Sequence, residues 1–344
     1  MAYSGLMHRI GIVGASGYTG AELLRLVAAH PQLDLAWATG DTKAGTRVAD
    51  LYPSLAAAYP SLAFTQYDPA AADGLDLVFC GLPHGESQRL LPELRKRVPK
   101  VVDLAADFRL RDSAAYRQWY GEDHQRPDLL ADFAYGLPEL FRADVLAADA
   151  VAAAGCYPTA AALALAPLVQ AGVIEPEGVI VDAASGVSGA GRTLKHSTHF
   201  GTANEDFTAY GLLDHRHTPE IEQASGASVL FTPHLAPMTR GILATCYARP
   251  RGAMATATLL ELLRTRYDGE PFVVVSNEPP STKATWGSNS AHLTARYDER
   301  TGWVIALCAL DNLVKGASGQ ALQCANLLLG CDETAGLTGV GVYP

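Results

Sequence analysis

The chain has little positive charge to spare. Its 26 Lys and Arg stand against 36 Asp and Glu, a net charge of −10. That balance argues against a general nucleic-acid role, and an anionic ligand would have to be met by a local cluster of Arg or Lys. Paired cysteines are missing as well. The six cysteines, at 80, 156, 246, 308, 324 and 331, form no CxxC pair. Such spacing suits neither a disulfide scaffold nor a zinc site, so no metal is expected and the protein reads as reduced and cytoplasmic. No apolar run reaches the ~18 residues of a membrane span. "MAYSGLMHR" leads straight into a strand-like segment, so no signal peptide is expected. There is no repeat and no low-complexity tract, only a richness in Ala. What remains is an ordinary soluble composition, 49% hydrophobic and 18% charged over 344 residues, long enough for two domains.

The opening "HRIGIVGASGYTGAELLRLVAAHP" reads as a strand over 10–13, a Gly-rich turn over 14–20, and a helix over 21–30. Leu23, Leu24 and Val27 share one face of that helix, and Pro31 lies just past its end. Further strands are expected over 33–39, 75–83 and 100–108. Strands alternating with helical segments predict a Rossmann-type, doubly wound parallel sheet as far as about residue 155. The second half carries more strands, over 228–235, 241–250, 271–277 and 290–313, the last with a hairpin turn at Glu299–Gly302. A helix over 256–269 ends at Gly269, and a last helix covers 318–330. The expected class is α/β, a doubly wound sheet plus an α+β catalytic and oligomerisation domain with a mostly antiparallel sheet. The expected division is a dinucleotide-binding domain over 1–155, joined by the C-terminal segment 314–344, and a catalytic, substrate-binding domain over 156–313.

"VAAAGCYPTAAALALAPLV", 151–169, sets Cys156 between a glycine and a stretch that starts a helix. Pro158 is tolerated in a first turn, Thr159 caps well, and no β-branched residue interrupts Ala160–Leu168. Cys156 is therefore expected just before a helix N-terminus, where the helix dipole favours a thiolate. An inert core cysteine is the other reading. Gly14, Gly17 and Gly20, with Ser16, Tyr18 and Thr19 between them, form a GxxGxxG turn between strand and helix, which suits a pyrophosphate. At the next strand tip, Thr39 and Lys43 suit the 2′-phosphate of NADP, whereas Asp41 would suit the ribose hydroxyl of NAD; the expectation is NADP.

Other motifs each carry two readings. Pro83 and His84 in "CGLPHGES" either touch the cofactor or form a plain turn. Arg109 in "ADFRL" either clamps an anion or pairs at the surface with Asp107 or Asp112. In "SGVSGAGR", Gly186, Ser188 and Gly189 could aim N–H groups at an anion or at the nicotinamide carboxamide, with Arg192 and Lys195 adding charge. A flexible linker is the rival. His215 and His217 in "HRHTPEIEQ" share a face of an extended segment before a helix. Beside Cys156, one of them would serve as base and acid. Asn312 and Lys315 in "DNLVKGASGQALQ" either meet cofactor or phosphate or lie in a helix-leading loop.

Together these stretches, with "DLAADFRL", "YGLPEL", "GCYPTAA" and "RGILATC", resemble the N-acetyl-gamma-glutamyl-phosphate reductase family of arginine biosynthesis, relatives of aspartate-semialdehyde dehydrogenase. The resemblance runs in order from about residue 9 to the C-terminus. It implies Cys156 as nucleophile, His217 (with His215 second) as acid/base, NADP on Gly14–Gly20, an acyl-phosphate substrate, inorganic phosphate as product, and a homodimer or homotetramer. Ala153-Ala154 depart from it, standing where the family usually has Asn-Pro or Val-Pro. Three rivals stay open: a reductase of carrier-bound aminoadipate phosphate in lysine biosynthesis, a non-catalytic NADP-binding regulator, and a plain alcohol-type dehydrogenase that needs neither phosphate nor the thiol.

Overall fold

A computed structural model describes residues 6–344; the reading of the first five residues lies outside the described part. The chain divides into two units. The first holds residues up to 116, 122–154 and 317–338, and the second holds 117–121, 155–316 and 339–344.

The first unit is built on β1 (His8–Val13), α1 (Tyr18–Ala28), β2 (Leu33–Ala38), α2 (Val48–Leu51), β3 (Leu77–Cys80), α3 (Glu86–Leu94) and β4 (Lys100–Asp103). Then follow α4 (Ser113–Tyr120), which runs into the second unit, β5 (Phe133–Gly136), α5 (Pro138–Ala147) and β6 (Ala150–Ala153). Its six strands pair in parallel in the order β2-β1-β3-β4-β6-β5. β3, β5 and β6 are buried along their whole length, as strands covered on both faces must be. On α1 the expected face, Leu23, Leu24 and Val27, is buried. That helix starts three residues earlier than its sequence pattern suggests, at Tyr18, and strands β3 and β4 are shorter than expected. Their ends, 81–83 and 104–108, leave the sheet as loops. Order reverses beside β1, so the carboxyl ends of β1 and β3 face the crevice where open α/β sheets bind ligands.

The second unit opens with α6 (Cys156–Gln170), followed by β7 (Val179–Gly186), α7 (Phe200–Ala203), β8 (Thr208–Ala209), α8 (Thr218–Ser225), β9 (Val229–Ala236) and β10 (Ile242–Ala248). It continues with α9 (Thr256–Arg266), β11 (Val273–Val275), β12 (Ala291–Asp298) and β13 (Trp303–Leu310). The seven strands run β11-β12-β13-β10-β7-β9-β8, with parallel pairs at β11/β12 and β7/β9 and antiparallel pairs elsewhere. The β12–β13 hairpin turns where expected, closed by the Gly302 N–H on the Asp298 carbonyl at 2.8 Å. Every residue of α6 from Tyr157 to Leu168 is buried, the mark of a helix enclosed on all sides; it packs on β10, β13, α8 and α9. The last helix, α10 (Gly319–Leu329), follows a π-helical turn at 314–318 and belongs to the first unit, packed on α5 and α1. Its Gln323 donates to the buried Glu139 at 2.9 Å, which gives "YGLPEL" a fastening role there. No helix is long and apolar enough to cross a membrane, among the described residues.

Candidate active site

In the first unit the glycine turn is held open by its own backbone. Gly14 has φ +81°, and a side chain there would strike the Gly81 carbonyl. A Cβ on Gly20 would lie 2.6 Å from the Ala15 carbonyl carbon and oxygen. These glycines let α1 pack tightly on the turn and end in open backbone. No side chain caps the N-terminus of α1, and no acid stands in its first turn. The cradle therefore fits a phosphate group, with unshared N–H groups and the positive end of the helix dipole. Tyr18 and Thr19 form the first turn; Tyr18 is exposed.

Thr39 and Ser16 do other work than expected. The Thr39 hydroxyl accepts the Gly14 N–H at 3.0 Å, and Ser16 donates to the Gly40 carbonyl at 3.0 Å. Both are buried, so they lock the turn to the tip of β2. Lys43 lies in a 3-10 turn with Asp41, whose φ is +47°. His84 lies between two carboxylates, Nδ1 2.9 Å from Asp107 and Nε2 hydrogen-bonded to Glu122 at 3.1 Å. That grip fixes the 81–85 loop that includes Pro83. Arg109 turns inward at one nitrogen: its Nη2 donates to the Leu104 carbonyl at 2.7 Å. Beside it Asp103 is fully buried. It accepts from Ser87 at 2.8 Å, and burial pushes its carboxyl up to about 7.

In the second unit Cys156 is half-buried and is itself the first residue of α6, not the residue before it. Gly155 is the N-cap, and Thr159 turns its hydroxyl back to the Gly155 carbonyl at 2.8 Å rather than capping. The Gly155 N–H donates to the buried Glu220 at 2.7 Å. Gly316 leaves no room for a side chain: a Cβ there would lie 2.8 Å from the Cys156 Cβ. In the first unit, Ala154 supplies what the usual proline could not, an N–H that bonds the Gly136 carbonyl at 3.2 Å.

The next residue, Tyr157, packs edge-on against both histidines, with ring centroids 5.7 Å from His215 and 5.9 Å from His217. Its hydroxyl donates to the His234 carbonyl and receives the Tyr210 hydroxyl at 3.2 Å. Burial pushes the Tyr210 hydroxyl up to about 12 and Tyr157 higher still. Burial likewise holds His215 down at about 4. A neutral His215 accepts the His217 N–H on Nδ1 at 3.1 Å, so its proton sits on Nε2. His217 is the N-cap residue of α8. His215 thus stands as a neutral ring holding the His217 backbone N–H.

The glycine–serine loop is zipped rather than open. Gly186, Val187 and Ser188 give their N–H groups to the carbonyls of Gly241, Met238 and Thr239. Those donors are therefore spent, contrary to the expected anion contact. Asn312 explains the zipper: its Oδ1 accepts the Gly241 N–H at 2.7 Å, and its Nδ2 donates to Ser188 at 2.9 Å. Gly189 lies against Ser185, where a Cβ would come within 2.8 Å of the hydroxyl. Lys315 is fully buried, its ammonium 5.8 Å from the centre of the Phe272 ring, so it faces an aromatic wall rather than open solvent. Arg192 is half-buried and Lys195 exposed. Two residues escaped the sequence reading. Glu220 stands three residues past His217, the place of a capping-box acid, which was the available signal. Arg240 lies 3.4 Å from Asp311, in the bend before β10 to which the loop is zipped, and nothing but its place in "RGILATC" marked it. Among the described residues, no three His, Cys, Asp or Glu gather as a metal would need.

Residues 9–148 match the family described as "Semialdehyde dehydrogenase, NAD binding domain", and 156–312 match "Semialdehyde dehydrogenase, dimerisation domain". A curated protein of Symbiobacterium thermophilum, named N-acetyl-gamma-glutamyl-phosphate reductase, is 49% identical over 98% of this chain and 99% of its own. One of the same name from Desulforudis audaxviator is 48% identical over 98% of this chain and all of its own. Among solved structures, aspartate semialdehyde dehydrogenase II of Vibrio cholerae, complexed with ASA, aligns with a TM-score of 0.72 at 15% identity, over 95% of this chain and 99% of its own. Aspartate semialdehyde dehydrogenase with NADP from Candida albicans aligns at 0.68 and 15%, over 94% and 98%. These two likenesses establish the fold.

Proposed function

The chain belongs to the N-acetyl-gamma-glutamyl-phosphate reductases of the semialdehyde dehydrogenase family, and from that membership we propose its reaction and the residues that carry it. The enzyme is an oxidoreductase of arginine biosynthesis. It reduces N-acetyl-L-glutamyl 5-phosphate to N-acetyl-L-glutamate 5-semialdehyde, releasing inorganic phosphate. The curated relatives carry the glutamyl-phosphate name, which favours this substrate over carrier-bound aminoadipate phosphate.

The carrying observation is Cys156 at the first position of a buried helix, with Tyr157 packed on a histidine pair. The Cys156 thiolate, favoured by the α6 dipole, attacks the acyl phosphate. Phosphate leaves and a thioester remains, which splits one hard step into two. NADP suits the uncapped turn Gly14–Gly20, with Lys43 at the β2 tip toward a 2′-phosphate; when bound as NADPH it supplies the hydride. His217 holds the proton that the collapsing thiohemiacetal oxygen exchanges as Cys156 leaves. His215 orients His217 from behind. In the second unit, Arg240 and Arg192 are the cations offered to the anionic substrate.

We further read the enzyme as a cytoplasmic homodimer or homotetramer. Support for assembly comes from the half-exposed face of the second sheet, where Tyr247 stands between Ile180 and Ile305. The deciding assay runs the reaction backwards, with N-acetylglutamate 5-semialdehyde and NADP, with and without phosphate, beside Cys156→Ser. Absorbance growth that needs both phosphate and Cys156 supports the reading. Phosphate-independent reduction of NADP overturns the acyl-phosphate mechanism.

A further inference from the structure

We propose that Glu220 is a positioning residue for the nucleophile, pinning the start of the Cys156 helix to the helix that begins at His217. The inference rests on the thioester reading of Cys156. Glu220 is 1% exposed and is the third residue after the N-cap His217 in α8. An acid at that place ordinarily reaches back to the N–H of its own N-cap residue. Here that N–H is already given to His215 Nδ1 at 3.1 Å. Glu220 instead accepts the N–H of Gly155, 65 residues away, at 2.7 Å. Gly155 is the N-cap of α6, so one carboxylate faces two helix N-termini, each of which attracts negative charge. On its other side Cys156 lies against Gly316, where no side chain fits. The thiol-bearing residue is therefore fixed from both sides, and its place relative to His217 is set through Glu220.

This arrangement carries an electrostatic cost: a negative charge next to Cys156 works against its thiolate. The other titratable groups around this start of α6 are Tyr157 and Tyr210, which interact with the Cys156 thiol, and His215 and His217, packed on Tyr157. Burial keeps both tyrosines and His215 neutral near pH 7, so among these groups His217 is the one whose charge can answer an exchange at Glu220.

Two variants separate geometry from charge. Glu220→Gln keeps an acceptor oxygen and removes the charge; Glu220→Ala removes both. The readouts are kcat, KM for NADP, and the pH dependence of iodoacetamide alkylation, with Cys156→Ser as the background of the other thiols. For Glu220→Ala, kcat should fall about 10²-fold, the usual loss from an ångström-scale misplacement, while KM for NADP stays within about twofold. Glu220→Gln should hold kcat within about fivefold of wild type and move the alkylation inflection to lower pH. If Glu220→Ala does not fold, the Gln shift decides. Wild-type kcat and an unmoved inflection in the folded variants overturn the proposal, as does a Gln variant as slow as Ala with no shift. Turnover in Cys156→Ser would instead defeat the thioester reading itself. A dead Cys156→Ser beside wild-type-like Glu220 variants defeats only this inference.

Discussion

Two helices, one in each unit, begin without a side-chain cap of their own, and they are built in opposite ways. The N-terminus of α1 is cleared: glycines at 14, 17 and 20 remove side chains, and no acid stands in its first turn. The N-terminus of α6 is filled: a cysteine occupies the first position, and a neighbouring helix lends a carboxylate to Gly155. The same dipole and the same unshared N–H groups are available at both. At α1 they await an anion that diffuses in and out, so emptiness is the requirement. At α6 they act on an anion that is part of the chain, so fixed placement is the requirement.

That contrast can be broken at either end. The largest effect is expected from Cys156→Ser, which should lower turnover by on the order of 10³-fold or more while NADP binding, followed by fluorescence titration, stays intact. Next comes His217→Gln, expected to cost about 10²- to 10⁴-fold in kcat without preventing single alkylation of Cys156, as mass spectrometry would show. Gly20→Ala attacks the other helix. Its methyl group meets the Ala15 carbonyl, so KM for NADP should rise about tenfold and stability fall by about 1–3 kcal/mol, with the rate of Cys156 alkylation unchanged.

The smallest effect sharpens the comparison through pH. Asp103, in the first unit, binds its proton up to about pH 7 when folded but only near 4 when unfolded. Its stabilising share is complete below about pH 4 and is lost as pH rises to about 7. His215, in the second unit, is lowered to about 4 from an ordinary 6.5. Its share is complete above pH 6.5 and is lost as pH falls to about 4. The two slopes oppose each other. Asp103→Asn should therefore leave a urea midpoint that rises from pH 4 to 6.5, and His215→Gln one that falls from pH 4 to 7.

Much of this was legible in the residues. Ile10–Val13, the glycine turn and the apolar face of α1 are consecutive in sequence, so local patterns suffice to read them. Cys156 stood out because glycine, proline and an unbranched Ala/Leu run mark a helix start within a few residues. What could not be read depends on partners far along the chain. Glu220 meets Gly155 across 65 residues, and Asn312 meets Ser188 across 124. Arg109 and Lys315 look alike in sequence as free cations, yet one is turned to a backbone carbonyl and the other is buried on an aromatic ring. Thr39 reads as a ligand hydroxyl because its sequence setting does not reveal that Gly14 uses it. A side chain's type survives in the sequence; the atom it spends its hydrogen bonds on does not.

Gly316 also sets an order of assembly. It borders Cys156 but follows it by 160 residues, 316 less 156, and the first unit is completed by 317–338, later still. On a ribosome, synthesis runs from the N-terminus. The nucleophile leaves the exit tunnel long before the backbone that walls it exists, and the dinucleotide-binding sheet waits for α10, which follows Gly316. A chain cut before Gly316 thus keeps the thiol while lacking both that wall and the helix that finishes the first unit.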